Sequence, residues 1–282
     1  MQGIAPSGCD GGKSDVSQPL GAESATTGRR RLRLLSCNIQ AGSSTQRYRD
    51  YVSRSWSHVL PHGKRDNLAA IAELCSDFDV VGLQESDAGS LRSGFTNQTH
   101  RIAELAGFPF WSHQSNRRVG GITHSANGLL ARERPTEILD YSLPGRVAGR
   151  GVLLARFGDA GTGKPDHQLT VAIAHLSLGA QSRSAQLDFL AELLGDALHV
   201  VLMGDFNCAH DTPDMQRLYR RTRLQPPSTI AATFPSWKPV RALDHILCSE
   251  GLAAGPPRAL TAGRSDHLAI ALELSLPEAT AL

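Results

Sequence analysis

From Leu32 onward the chain alternates short apolar runs with stretches of helical period. The runs LRLLSCNI (32–39), FDVVGLQE (78–85), ANGLLAR (126–132), RGVLLARF (150–157), QLTVAIAHLSL (168–178), HVVLMGDFN (199–207), LDHILCS (243–249) and HLAIALEL (267–274) predict strands. Between some of them the spacing predicts helices over 64–75, 97–106, 180–194 and 213–223. That mixture implies an α/β or α+β fold whose strands are buried on at least one face. GTGKPDH (161–167) reads as a hairpin turn. A hairpin needs antiparallel pairing, which disfavours a purely parallel, doubly wound sheet.

Residues 1–29 are rich in Gly, Ser, Ala and Thr without an apolar period, so they cannot offset the entropy of ordering and are expected to be a disordered tail. Residues 30–282 are then one domain. A chain of 282 residues at 40% hydrophobic content is long enough to bury a sizeable core. Lys plus Arg number 29 against 27 for Asp plus Glu, a balance of +2, so any charge that binds phosphate must be local. The five cysteines form an odd set without zinc-like spacing, and Cys37, Cys75 and Cys248 sit in core-like runs. Reduced thiols, no apolar signal region and no stretch of membrane-spanning length together predict a cytoplasmic protein, expected to be monomeric.

Polar residues collect where the apolar runs end. SCNIQ carries Asn38, GLQES Glu85, AIAHLS His175, LMGDFN Asp205 and Asn207, ALDHIL Asp244, and GRSDHL Asp266 and His267. Burying each group unpaired would cost about 1–3 kcal/mol, so several together imply one site in which they satisfy one another. Carboxylate oxygens suit a hard, octahedral ion such as Mg²⁺, with Mn²⁺ as an alternative, and a zinc cage is disfavoured. Histidine supplies a base near neutral pH, and asparagine a neutral donor to a phosphoryl oxygen.

Taken in order, CNIQ, LQE, AHLS, GDFN, LDHIL and SDH over 32–276 resemble the motif series of the endonuclease/exonuclease/phosphatase superfamily of DNase I-like enzymes. The resemblance implies a four-layer αββα sandwich, two mixed β-sheets packed face to face and flanked by helices, with the active site at one edge. It implies Glu85 as the main metal ligand, Asn38 near metal and phosphate, and Asp266 as a further ligand. It also implies His267 as the catalytic histidine, either base or phosphate-oriented group, with Asp244 orienting it. Asp205 matches the residue that positions or deprotonates the attacking water, and Asn207 one that binds a non-bridging oxygen. His175 matches the His of the DNase I-like and sphingomyelinase-like branches, where abasic-site endonucleases commonly carry Tyr. Gln40 departs from the Asp of several family nucleases, which removes one possible metal carboxylate.

Asn127 stands where family members approach the substrate phosphate, and Trp237 in TFPSWKP (233–239) is a stacking or packing group. Arg47 and Arg54, interleaved with aromatics in 45–67, suit contact with nucleic acid. His245 is expected to face away from the site. The expected function is Mg²⁺-dependent phosphoester hydrolysis, foremost by a phosphodiesterase of the nuclease type. A phospholipase C-like or sugar-phosphate phosphatase on the same scaffold is the alternative, and a non-catalytic phosphate-binding module the remote one.

Overall fold

The structure, a computed structural model, describes residues 30–40, 61–89, 97–119, 123–145, 149–158, 168–277 and 280. The expected tail, Arg47, Arg54 and the turn at 161–167 lie outside the described residues. In chain order the elements are β1 (Arg31–Asn38), α1 (Pro61–Cys75), β2 (Val80–Asp87), α2 (Gln98–Ala106), β3 (Phe110–Val119), β4 (Thr123–Ala131), β5 (Glu137–Ser142), β6 (Gly151–Gly158) and β7 (Gln168–His175). They continue with α3 (Ala180–Leu194), β8 (His199–Asp205), α4 (Pro213–Arg221), β9 (Asp244–Cys248), β10 (Ala253–Ala254), β11 (Arg258–Leu260) and β12 (Ala269–Ser275).

Two mixed sheets result. The first runs β10-β12-β1-β2-β4-β3, with β11 also on β12, and the second β5-β6-β7-β8-β9. In each, one parallel pair, β1 with β2 and β7 with β8, lies among antiparallel neighbours. The expected antiparallel component is therefore present; β6 and β7, on either side of residues 161–167, form such a pair.

Strand alternation sorts the apolar side chains into three layers. Leu32 and Leu34 of β1, Val171 and Ile173 of β7, and Val201 and Met203 of β8 meet between the sheets. Leu35 and Cys37 instead face Ile71, Cys75 and Ile102 of α1 and α2, while Leu202 and Ala172 face Leu187, Leu190 and Leu218 of α3 and α4. This is the αββα sandwich. The sheets approach closely at Gly82, where a Cβ would stand 3.0 Å from Met203 and 3.1 Å from Ile173. The polar clasp is Asn127 of β4, 0% exposed, whose amide donates to the carbonyl of Gly151 at 2.8 Å across the gap and to Oε1 of Gln114 at 3.3 Å.

Local signals set the helix ends. Asn97 caps α2 by accepting from the His100 N–H, and Gly107 closes it in the left-handed region at φ 69°. Thr212 caps α4, followed by Pro213, with Asp214 in the first turn and Arg220 and Arg221 in the last. Four strands carry no clear alternation in the sequence: β3, β5, β10 and β11. Of these, β5 lies at an edge and is largely exposed, with only Leu139 and Tyr141 half-buried against the outer core and Ile138 open on the other face, so its apolar stripe is too short to betray it.

Candidate active site

The alternation that builds the inter-sheet core also delivers the site. Asn38 continues the parity of Leu32 and Leu34, His175 that of Val171 and Ile173, Asp205 that of Val201 and Met203, and Asp244 that of Ile246. His175, Asp205 and Asp244 are each the first polar position past the apolar filling on that face, Asn38 follows the buried Ser36, and all four are at most 3% exposed. Parallel pairing of β1 with β2 and of β7 with β8, and β9 running against β8, puts these ends on one edge of the sandwich. His245, of opposite parity, turns away as expected, its Nε2 2.8 Å from the Cys208 carbonyl and its ring against Phe206.

Asp205 sits at the centre. Its Oδ1 accepts the Asn207 N–H at 3.0 Å, and its Oδ2 accepts from Asn38 Nδ2 at 3.2 Å. That same Oδ2 lies 3.4 Å from His175 Nε2 and 3.9 Å from His267 Nε2. Burial, then the charge of Asp244, push the Asp205 carboxyl up to about 7. Gly204 just before it, at φ 147°, is obligatory: a Cβ there would stand 1.8 Å from the Ala174 carbonyl oxygen.

His267 and Asp244 pair through Nδ1 and Oδ2 at 2.8 Å, and that oxygen also accepts the Thr233 hydroxyl at 2.5 Å. Burial works against a charged His267 ring. The hydrogen bond and charge of Asp244, with Asp205 and Asp266 behind, outweigh it and raise the ring to about 9. The buried Oδ1 of Asp244 has no protein partner among the described residues.

Glu85 reaches this edge by a different route. On the parity of Val81 and Leu83 it would face the helices, but the β2–β4 register shifts between Leu83 and Ser86, and Glu85 adopts φ 56°. This bulge turns it to within 3.8 Å of His175 Nε2. Burial raises its carboxyl, partly offset by Arg150, and Asp266 raises it further; Asp266 is itself raised by burial. Gln40, at φ 45°, accepts weakly from the Asp266 N–H at 3.4 Å and donates its own N–H to Asn38 Oδ1 at 3.1 Å. Asn207, at φ 53°, donates its amide to the Leu176 carbonyl at 2.9 Å. Among the described residues only Gln40, Glu85 and Asn207 are non-glycine with positive φ, and all three are here.

Arg150 was not singled out as a site residue from the sequence. Its Nη1 lies 2.6 Å from His175 Nδ1. A guanidinium only donates, so Nδ1 accepts and the ring proton sits on Nε2, toward Asp205 and Glu85. Burial, then Arg150 and His267, push His175 well below its ordinary value, which keeps it neutral. The strand-end rule pointed at the finish of each run, whereas Arg150 immediately precedes β6. Because β6 is antiparallel to β7, its start lies on the site's edge. The same logic would have found Thr233, ahead of β9.

Two expectations change. Asn127 is not exposed to the cleft but spends its amide clasping the sheets. Trp237 is 58% exposed, so it is not a core group. Asp205, Asp244 and His267 have ligand-capable atoms all within 4.8 Å of one another, a group able to hold a metal ion and distinct from the implied set Glu85, Asn38 and Asp266.

The family model described as Endonuclease/Exonuclease/phosphatase family matches residues 35–267. An uncharacterized Escherichia coli (strain K12) protein, YbhP, is 31% identical over 169 residues, covering 54% of this chain and 64% of its own length. This chain therefore matches a little under two thirds of that relative. Among solved structures, an endonuclease/exonuclease/phosphatase family protein from Bacteroides thetaiotaomicron has a TM-score of 0.65 at 20% identity, covering 88% of this chain and 96% of its own. A mannosyl-6-phosphatase of the same species has a TM-score of 0.62 at 19% identity, covering 86% and 99%.

Proposed function

The chain belongs to the endonuclease/exonuclease/phosphatase family, and from that premise we propose that this phosphoester hydrolase is a phosphodiesterase that uses a divalent, oxygen-seeking cation, Mg²⁺ foremost. The observation that carries the reading is four carboxyl groups, Glu85, Asp205, Asp244 and Asp266, converging on two histidines and one guanidinium. So acidic a site disfavours a doubly charged monoester relative to a singly charged diester.

Glu85 and Asp266, with the carbonyl of Asn38, would hold the cation. Burial raises both carboxyls and Asp266 adds to the shift at Glu85, so a cation held between them would offset the cost of charging them. Glu85 is a quarter exposed, which leaves room for the water and phosphate that Mg²⁺ keeps in its shell. We prefer this pair to the Asp205, Asp244 and His267 group, because those three are at most 7% exposed and already bonded to one another, to Asn38 or to Thr233, which leaves little room for a hydrated cation. The bound cation would polarise a phosphoryl oxygen and offset developing charge.

Asp205, poised near 7 and in reach of both histidines, would accept the proton of the attacking water. His267, held protonated by Asp244, would donate through Nε2 to a non-bridging oxygen. This favours the phosphate-oriented role over that of base. His175, neutral with its proton on Nε2, would stabilise the phosphoryl group; its low basicity suits it poorly as the acid for the leaving oxygen. Arg150 and the second amide hydrogen of Asn207 would complete the anion site. The buried, free thiols of Cys37, Cys75, Cys208 and Cys248 support the cytoplasmic reading.

The chemistry does not choose the alcohol that leaves, so nucleic acid is one substrate among several. The test compares metal-reconstituted protein on bis-p-nitrophenyl phosphate, p-nitrophenyl phosphate, single-stranded DNA, plasmid DNA and RNA. Turnover of diesters well above the monoester supports the proposal. Monoester turnover alone would give the protein the activity that its Bacteroides neighbour's name describes.

A further inference from the structure

Among the described residues, four large hydrophobic side chains are more than half exposed: Leu178 at 74%, Val240 at 67%, Ile230 at 61% and Trp237 at 58%. Leu178, Trp237 and Val240 lie where two connections meet the catalytic edge, and Ile230 on the stretch that leads up to it. Leu178 stands three residues past His175, and Ile230, Trp237 and Val240 lie on the segment that leads into β9 at Asp244. Exposed hydrophobics scattered singly need no explanation, but their collection around one cleft does.

Neither connection is loose. Arg183 donates to the carbonyls of Ser177 and Leu178 at 3.2 and 2.9 Å. The second folds back on itself: Phe234 and Arg241 exchange backbone hydrogen bonds at 3.0 and 2.9 Å, and Lys238 N–H bonds to Pro235 O at 3.0 Å. Its base is tied to the chemistry, with the Thr233 hydroxyl on Asp244 and the Phe234 ring 4.9 Å from that of His267. The backbone thus holds Leu178, Trp237 and Val240 outward.

Charge identifies what they face. From Leu224 to Leu243 there is no Asp or Glu, and the segment carries Lys238 and Arg241, both exposed; from Leu176 to Leu187 there is again no acid. The rim is apolar and cationic around an acidic cleft. Nucleic acid would be met by cations and stacking rings, but Leu178, Ile230 and Val240 can neither stack on a base nor pair with a phosphate. Aliphatic tips, one tryptophan and flanking cations match the acyl boundary, interface and headgroups of an anionic bilayer.

We infer that the catalytic edge docks on an anionic lipid surface through Leu178, Trp237 and Val240, and that the substrate is a phosphodiester presented there. The docking surface stands on its own observations, whereas the substrate class rests on the hydrolase reading above.

The test uses the full chain in chelator, so that binding is read without turnover, with vesicles of phosphatidylcholine alone or mixed with phosphatidylglycerol. Co-sedimentation is expected with the mixed vesicles. Leu178→Ser combined with Val240→Ser should weaken it by roughly ten-fold per side chain withdrawn from the acyl boundary. Lys238→Glu, which removes no apolar area, should weaken it by roughly five-fold or more. Thermal melts check that the variants are folded. Absence of vesicle binding, or binding indifferent to these changes, overturns the inference, as does rim-dependent binding to single-stranded DNA instead. Bis-p-nitrophenyl phosphate turnover is measured in parallel: rim-dependent vesicle binding without small-diester hydrolysis would uphold the surface and sink the hydrolase reading.

Discussion

Replacing Asp244 by Asn should change two measurable quantities in linked proportion. The substitution keeps an oxygen able to accept from His267 Nδ1 and from Thr233, but it removes the charge that holds the ring protonated. His267 stands at about 9 in the folded protein against 6.5 for a free ring, a displacement worth about 3 kcal/mol. Because the folded value lies above the unfolded one, this stabilisation is fully present below pH 6.5 and fades as pH rises through 9. Urea unfolding of metal-free wild type in chelator should therefore show stability falling by up to about 3 kcal/mol between pH 6.5 and 9. In Asp244→Asn most of that slope should vanish, with stability at low pH reduced to match. Diester turnover in saturating metal should fall by about 10²–10⁴. A variant that keeps the wild-type slope across this window would show that His267 is not held by Asp244. A variant with the slope gone and turnover intact would remove His267 from the chemistry.

Glu85→Gln should raise the Mg²⁺ concentration needed for half-maximal turnover by at least an order of magnitude, since one carboxylate is a large share of a Mg²⁺ shell, while the thermal melt in chelator changes little. An unmoved metal titration would transfer the ligand role elsewhere. Asn127→Ala should cost about 1–3 kcal/mol in urea unfolding, because the Gly151 carbonyl across the sheets loses its donor; a neutral result would deny the clasp. Gly204→Ala should yield no soluble, cooperatively folding protein, judged by gel filtration and circular dichroism, because its Cβ would overlap the Ala174 carbonyl.

The apolar runs were legible because most strands here are buried on both faces, so each of the eight predicted runs carries a strand. The α3 and α4 signals were equally plain, with α4 ending at Arg221, two residues short of the expected span. Asn38, His175, Asp205 and Asp244 were visible as polar interruptions at run ends. What could not be read was anything set by pairing. Arg150 joins the site only because β6 runs against β7, and Thr233 only because the segment before β9 folds over Asp244. Glu85 was visible at a run end as well, but strict alternation would have turned it toward the helices, and the bulge that brings it to His175 left no mark in the sequence. Asn127 shows the opposite failure, a polar residue whose place in a family motif suggested the substrate while its amide serves the packing.

The Glu85 bulge makes the proposed metal site a matter of counting. Between Leu83 and Ser86 the strand spends one residue more than its partner, and that surplus decides which side of the sheet every later side chain of β2 sees. Removing Ser86 would return the ladder to even pairing, relieve the φ of 56° at Glu85 and set that side chain opposite Ala126, on the parity of Leu83. The result would be a smoother sheet with its carboxylate sent to the wrong layer. Composition, charge and core would scarcely differ from wild type, yet a cation bound as proposed would lose its principal ligand. In this fold a group assigned to the chemistry can be lost by a change of length alone, with no substitution at its own position.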